Sequence, residues 1–253
     1  MGDRRRELET YFRTLGVRTI KPGFFDDPAF LAAETAAGDN GLLQLYAEYC
    51  LLAAVDQSYL DHARRIIQRV ASFMSPLLVE EGRNGRCMPV TLLISRFLEL
   101  EGIWNFSVKG GVVVRFPVVS GLSPKEIEPL EVNVPRGTYA HYWVCAPPFT
   151  IVDLSITRQF YTTEEQQFLK RDLLKDHVSP ETEQLFSGLE HLSEQFRKTF
   201  PATRVEHDGC SISYVPIQIG GPSESFVAMP EPVLRGFRGF DLYKQFKVLS
   251  PIS

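Results

Sequence analysis

Cys87, His141 and Asp153 are the side chains from which a thiol nucleophile, its base and the carboxylate that orients the base could be assembled. An attacking cysteine must be a thiolate, and a helix N-terminus beside cationic groups favours that form. Gly82-Arg83-Asn84-Gly85-Arg86 precedes Cys87, and helical periodicity resumes at the cysteine itself. The glycines let backbone N–H groups turn towards an oxyanion. A free cysteine on its own is more often a small buried hydrophobe, so the case rests on what accompanies it.

What accompanies it is a histidine and an aspartate in step. If Tyr139 to Cys145 is a strand, then Tyr139, His141 and Trp143 share one face; on a following strand, Phe149, Ile151 and Asp153 share one. A three-residue link, Ala146-Pro147-Pro148, would set Cys145 against Phe149, Trp143 against Ile151 and His141 against Asp153. A one-residue bulge would send the last two to opposite faces. Each residue has a plainer reading, a strand histidine bonded to a carbonyl and a carboxylate closing a loop. The coincidence of an ionisable pair between apolar neighbours favours the assembled site, because a buried carboxylate needs a compensating partner.

The elements that must position these residues are legible around them. Residues 3 to 78 read as helical, best between Gln57 and Leu78, where Leu60, Ala63, Ile66, Ile67, Val70, Phe73 and Met74 recur at spacings of three and four. A second helix starts at Cys87 with Pro89 in its first turn and ends before Gly102. Strand-like sequence follows, interrupted at Gly110-Gly111 and resuming from Val112 to Val119. Residues 120 to 137, with Pro124, Pro129 and Pro135, read as a surface loop or insertion. Further helices are expected at 163 to 175 and 180 to 199, and a hairpin from Arg204 to Ile219 turning at Asp208-Gly209; the last thirty residues fit no pattern. The fold class expected is α+β, a helical N-terminal layer with the nucleophile helix packed on an antiparallel sheet. All 253 residues form one domain, divided into a helical subregion (1 to 80), a catalytic core (81 to 160) and a remainder of helices, hairpin and tail (161 to 253).

Composition narrows the function classes. A formal charge of -4 and the absence of basic, aromatic-interleaved segments argue against nucleic acid as a partner. Cys50, Cys87, Cys145 and Cys210 form no CxxC pair, so neither a zinc knuckle nor a disulfide scaffold is suggested; reduced thiols and a cytoplasmic setting fit best. The N-terminus has charge without an apolar h-region, Arg6 occupies the position where myristoylation wants Ser or Thr, and Leu42 to Val55 is too short to span a bilayer. No membrane association, cofactor or metal is expected, and the sequence leaves the oligomeric state open.

Two other signals compete. Glu206-His207-Asp208-Gly209-Cys210 could bind a metal or act as a thiol site, although a tight turn gives little shelter from water. The loop before Cys87 could cradle phosphate, although it lacks the Gly-Lys-Ser/Thr of a P-loop. His62 and His191 have ordinary polar neighbours on expected helices and read as solvated.

The order of Cys on a helix, His on a strand and Asp on the next strand resembles the transglutaminase-like group of the papain-like cysteine enzymes. Within it, Asn84-Gly85-Arg86-Cys87 is similar to the Arg-Gly-Gly-Arg-Cys signature of arylamine N-acetyltransferases. The helix ending Glu101-Gly102 before Trp104 to Val114 resembles the core shared with transglutaminases and lasso-peptide leader proteases. The likeness spans about residues 80 to 156. It departs at Pro89 and Thr91, where the acetyltransferases have Glu and Asn, and at Asp153-Leu154-Ser155-Ile156-Thr157, where they have Asp-Val-Gly-Phe-Gly. The resemblance implies a papain-like fold in which Cys87 attacks an acyl carbon, His141 moves the proton and Asp153 fixes its tautomer. The Cys87 N–H would serve the oxyanion hole, with Asn84, Arg86 and Trp143 as oxyanion- and substrate-binding candidates. The substrate would be a peptide, protein or small amide or acyl compound, cleaved or transferred through a thioester. A CoA-dependent acyltransferase and a non-catalytic binding or scaffold protein are the alternatives.

Overall fold

The computed structural model describes residues 2–38, 41–82, 84–127, 141–182, 192–220, 233–234 and 237–249. Five helices come first: α1 (Gly2–Thr14), α2 (Pro28–Ala37), α3 (Gly41–Ala53), α4 (Gln57–Glu81) and α5 (Cys87–Leu100). α4 starts where Asp56 accepts the Ser58 and Tyr59 amides and stops at Gly82, which takes the left-handed conformation that suits a glycine. Its buried stripe, Ala63, Ile66, Ile67, Val70, Ala71, Met74 and Leu78, follows the spacing of three and four read from the sequence, although Leu60 and Phe73 are only half-buried.

The strands are β1 (Phe106–Arg115), β2 (Lys125–Ile127), β3 (His141–Ala146), β4 (Phe149–Asp153), β5 (Leu173–Lys175), β6 (Ser179–Pro180), β7 (Thr203–His207) and β8 (Cys210–Ile219). They form an antiparallel sheet of order β5-β4-β3-β1-β8-β7-β6, with β2 continuing the β3 side of β1. Three helices follow or interrupt them: α6 (Thr163–Gln166), α7 (Glu194–Thr199) and α8 (Gly239–Leu249). A short pair, β9 (Val233–Leu234) and β10 (Phe237–Arg238), precedes α8. The architecture is α+β. Among the described residues no helix is long and apolar enough to cross a membrane.

Two apolar clusters sandwich the sheet. On one side Phe12, Phe24, Phe30, Tyr46 and Tyr49 of the N-terminal helical region pack towards Phe106, Val108, Trp143 and Ile151. On the other, the α4 stripe and Val90, Ile94 and Phe97 of α5 cover Val144, Phe149 and Val152. Period-2 alternation thus divides β3: Trp143 and Cys145 face the first cluster, Val144 and Ala146 the second.

Several expectations change. β1 continues through Gly110-Gly111, and the interruption expected there survives as a register shift against β8 between Lys109 and Gly110; glycine is needed at 110 because a Cβ there would lie 2.2 Å from the Val215 carbonyl oxygen and 2.6 Å from the Trp143 ring. Within the expected insertion, Lys125–Ile127 pairs with Val112 to Val114, while residues 128–137 lie outside the described residues. The helix expected at 163 to 175 stops after Gln166, and Leu173 to Lys175 instead pairs with β4 as an edge strand. Burial of Leu169 and Leu173 and the ladder to β4 override the helical preference of this polar stretch. Of the helix expected at 180 to 199, Glu194–Thr199 is helical among the described residues, capped by Ser193; Pro180 pairs with Thr203, and 183–191 lie outside the described residues. The hairpin at 208 and 209 is present, with Asp208 at φ 52° and Gly209 at φ 83°, the positive angles of a primed turn. The unplaced tail contributes α8, whose Leu242 and Phe246 complete the α4–α5 cluster.

Candidate active site

The β3–β4 hairpin brings His141 and Asp153 together by a route other than the register read from the sequence. The link is two residues, Pro147 and Pro148, so that Ala146 faces Phe149, and the register slips again so that Val144 faces Val152. Each offset alone would put the two side chains on opposite faces; together they shift the pairing by two positions and restore the face. Continuing that register, Asp153 is level with Trp143 and diagonal to His141, within reach for side chains of this length. His141 Nε2 lies 2.6 Å from Asp153 Oδ2, and both side chains are shut from solvent.

Asp153 is fully compensated. Its Oδ1 accepts the Ser155 amide at 2.9 Å and the Ser155 hydroxyl at 2.8 Å, and its Oδ2 accepts the Tyr214 hydroxyl at 3.0 Å besides facing His141. Burial pushes the carboxyl pKa upward, but the charge and hydrogen bond of His141 and the two Ser155 bonds outweigh it, so the pKa is depressed below 3.8. Burial works to depress the His141 pKa, but Asp153 and then Cys87, each by hydrogen bonding and charge, raise it above 6.5. With Nε2 on Asp153, Nδ1 is the ring nitrogen left to meet the sulfur. It is buried and has no hydrogen bond of standard geometry among the described residues.

Cys87 is the first residue of α5, 6% exposed, and packs against Tyr142 with Met88 beside them. Arg86 is the N-cap residue by backbone position, without a side-chain cap. The preceding loop is pinned: the Gly85 amide donates to the Arg158 carbonyl at 2.9 Å, and the exposed Phe160 ring lies over Gly85 so closely that a Cβ would meet it at 2.7 Å. Beyond Arg158 opens a groove of about 630 Å³, lined by Val79, Thr157, Arg158, Tyr161, Gln166 and Lys170 among others.

The remaining expected residues separate. Asn84 is exposed on the loop before Cys87. The Arg86 guanidinium forms an ion pair with Glu81, a carboxylate only 9% exposed, and so is already bound to a partner. Trp143 is 3% exposed; its ring stacks beside His141, with centroids 6.3 Å apart, and meets Tyr214 edge-on at 5.0 Å. In that placement Trp143 walls the imidazole from within the core and has little surface exposed to solvent. Arg83 and Tyr139 lie outside the described residues.

Tyr214 and Ser155 are the partners the sequence reading missed. Ser155 follows two residues after Asp153, the spacing of an Asx-type turn, and was open to that inference. Tyr214 lies 61 residues away, and only the pairing of β8 with β1 brings it to Asp153. The competing cluster at the hairpin turn is used structurally. His207 Nε2 is 2.7 Å from the Arg171 carbonyl, Cys210 leans on the Phe168 carbonyl, and Asp208 accepts the Lys170 and Arg171 amides. Among the described residues no three His, Cys, Asp or Glu side chains group as a metal site. His62 is half-buried on α4, and His191 lies outside the described residues.

No protein-family model, no curated protein and no solved structure matches this chain.

Proposed function

We propose that this chain is a cysteine-dependent enzyme that handles an amide or acyl group through a thioester on Cys87, in a papain-like, transglutaminase-like fold. The observation that carries the reading is the buried 2.6 Å contact of His141 Nε2 with Asp153 Oδ2, with Cys87 at the head of α5 packed against Tyr142, the strand neighbour of His141. In this mechanism the Cys87 sulfur attacks the acyl carbon, and the charge that develops on the carbonyl oxygen is met by the positive end of α5 and its first amides. His141 carries the proton to the leaving amine, and Asp153 keeps the imidazole oriented and stabilises its charged form. Water or an amine then resolves the thioester, giving hydrolysis or transfer.

Alkylation tests the reading, with the other three cysteines as internal controls. Burial pushes Cys145 up to about 12, Cys210 up to about 11 and Cys50 well above its ordinary value. Iodoacetamide at neutral pH, with adducts mapped by mass spectrometry, is expected to label Cys87 first and selectively, and that selectivity is expected to vanish in His141→Ala. Equal, slow labelling of all four thiols would leave a binding or scaffold role. Incorporation of small amines into product would mark transfer over hydrolysis.

A further inference from the structure

A second cavity, of about 450 Å³, lies along β3 on the face that carries Trp143 and Cys145. It extends from the Pro147-Pro148 turn, about 13 Å along the strand at 3.3 Å per residue, to Trp143. Phe106, Val108, Ile151 and Phe200 form its walls, and among the described residues that line it none carries a charge; three threonines are its most polar side chains. Its volume falls in the range of small-molecule sites.

We propose that this cavity binds an uncharged apolar small molecule, an aliphatic chain or fused ring, whose inner end rests on Trp143. The charge of the ligand follows from the lining. A charged group would lose its hydration here without a counter-ion, whereas apolar surface is stabilised on leaving water. The far side of Trp143 stacks on His141, so the site lies one ring away from the imidazole. It is separate from the groove beyond Arg158 and does not depend on the cysteine being a nucleophile.

The test uses two probes that differ only by a sulfonate, neutral N-phenyl-1-naphthylamine and anionic 1-anilinonaphthalene-8-sulfonate, titrated by fluorescence into the full chain. The neutral probe is expected to bind saturably at one site, and the anion at least about tenfold more weakly. The sequence holds two tryptophans, so Trp104→Phe leaves Trp143 as sole reporter, and its emission is expected to be quenched by the bound neutral probe. Thr199→Trp and Val178→Trp, each filling the cavity from a half-buried wall position, are each expected to weaken that binding at least about tenfold while the far-ultraviolet circular dichroism and cooperative urea unfolding stay native. Absence of saturable binding, equal affinity for both probes, unquenched Trp143 emission, or full binding in both folded filling variants would overturn the proposal.

Discussion

The Tyr214 hydroxyl donates to Asp153 Oδ2, the same oxygen that faces His141 Nε2, at 3.0 Å and from a fully buried position. One carboxylate oxygen thus ties β8 and β3 together at the candidate site. Tyr214→Phe keeps the ring that packs on Trp143 and removes only the donor. Because the bond goes to a charged group, its loss is expected to cost about 1.5–3 kcal/mol in urea unfolding. The rate of Cys87 alkylation is expected to fall, by less than in His141→Ala. An unchanged midpoint and rate would mean that the hydroxyl contributes nothing to holding Asp153.

Asp153→Asn separates charge from shape. Burial opposes protonation of His141, and it is chiefly Asp153 that reverses the outcome. With the charge removed and the burial left in place, the His141 pKa is expected to fall below its value in the parent chain and towards or below 6.5. Ring-proton NMR titration reads this directly, with His141→Gln identifying the resonance. A His141 titration that does not move on this substitution would show that the carboxylate is not what sustains the imidazolium.

Glu99 offers a pH signature away from the site. Burial raises its carboxyl pKa from 4.5 to about 7; Arg96 lowers it again and Asp26 adds to the rise. Between those values the folded chain holds a proton that the unfolded chain has released, so stability falls as pH rises from about 4.5 to 7 and is level above. The total change for such a shift is about 3 kcal/mol, at 1.36 kcal/mol per unit. Glu99→Gln, with the same shape and no titration, is expected to flatten the unfolding free energy across this interval. A variant whose pH dependence there matches the parent would remove Glu99 as its source.

The parts of this architecture legible in the sequence are those written in local periodicity. The α4 stripe, the start of α5 at Cys87, the helix stop before Gly102 and the Asp208-Gly209 turn each depend on neighbours within one or two turns of chain. Where position depends on a distant partner, the local pattern misleads. Leu173 to Lys175 continues a helix-forming run yet pairs with β4, and Gly110-Gly111 reads as the end of a strand yet marks only a register shift within one, where Trp143 and Val215 press against it. The His141–Asp153 contact was legible in parity but not in register: side-chain alternation fixes the face, whereas the shorter turn and the slip that follows it leave no mark in the pattern of apolar residues.

Gly110 gives the most demanding prediction about the Trp143 wall. It pairs with His141 across the β1–β3 ladder, and a Cβ there would lie 2.2 Å from the Val215 backbone oxygen and 2.6 Å from the Trp143 ring. The ring could yield, but the Val215 carbonyl belongs to β8 and cannot retreat without opening the β1–β8 ladder. Gly110→Ala is therefore expected to cost about 3 kcal/mol, the upper end for overpacking a core, and to shift Trp143 emission as the indole is displaced from His141. Denaturant unfolding measures the first effect and fluorescence of a Trp104→Phe background the second. If the alanine variant unfolds at the parent midpoint with unchanged emission, strand β1 does not approach β8 and Trp143 as closely as this geometry requires, and the support it gives the imidazole must come from elsewhere.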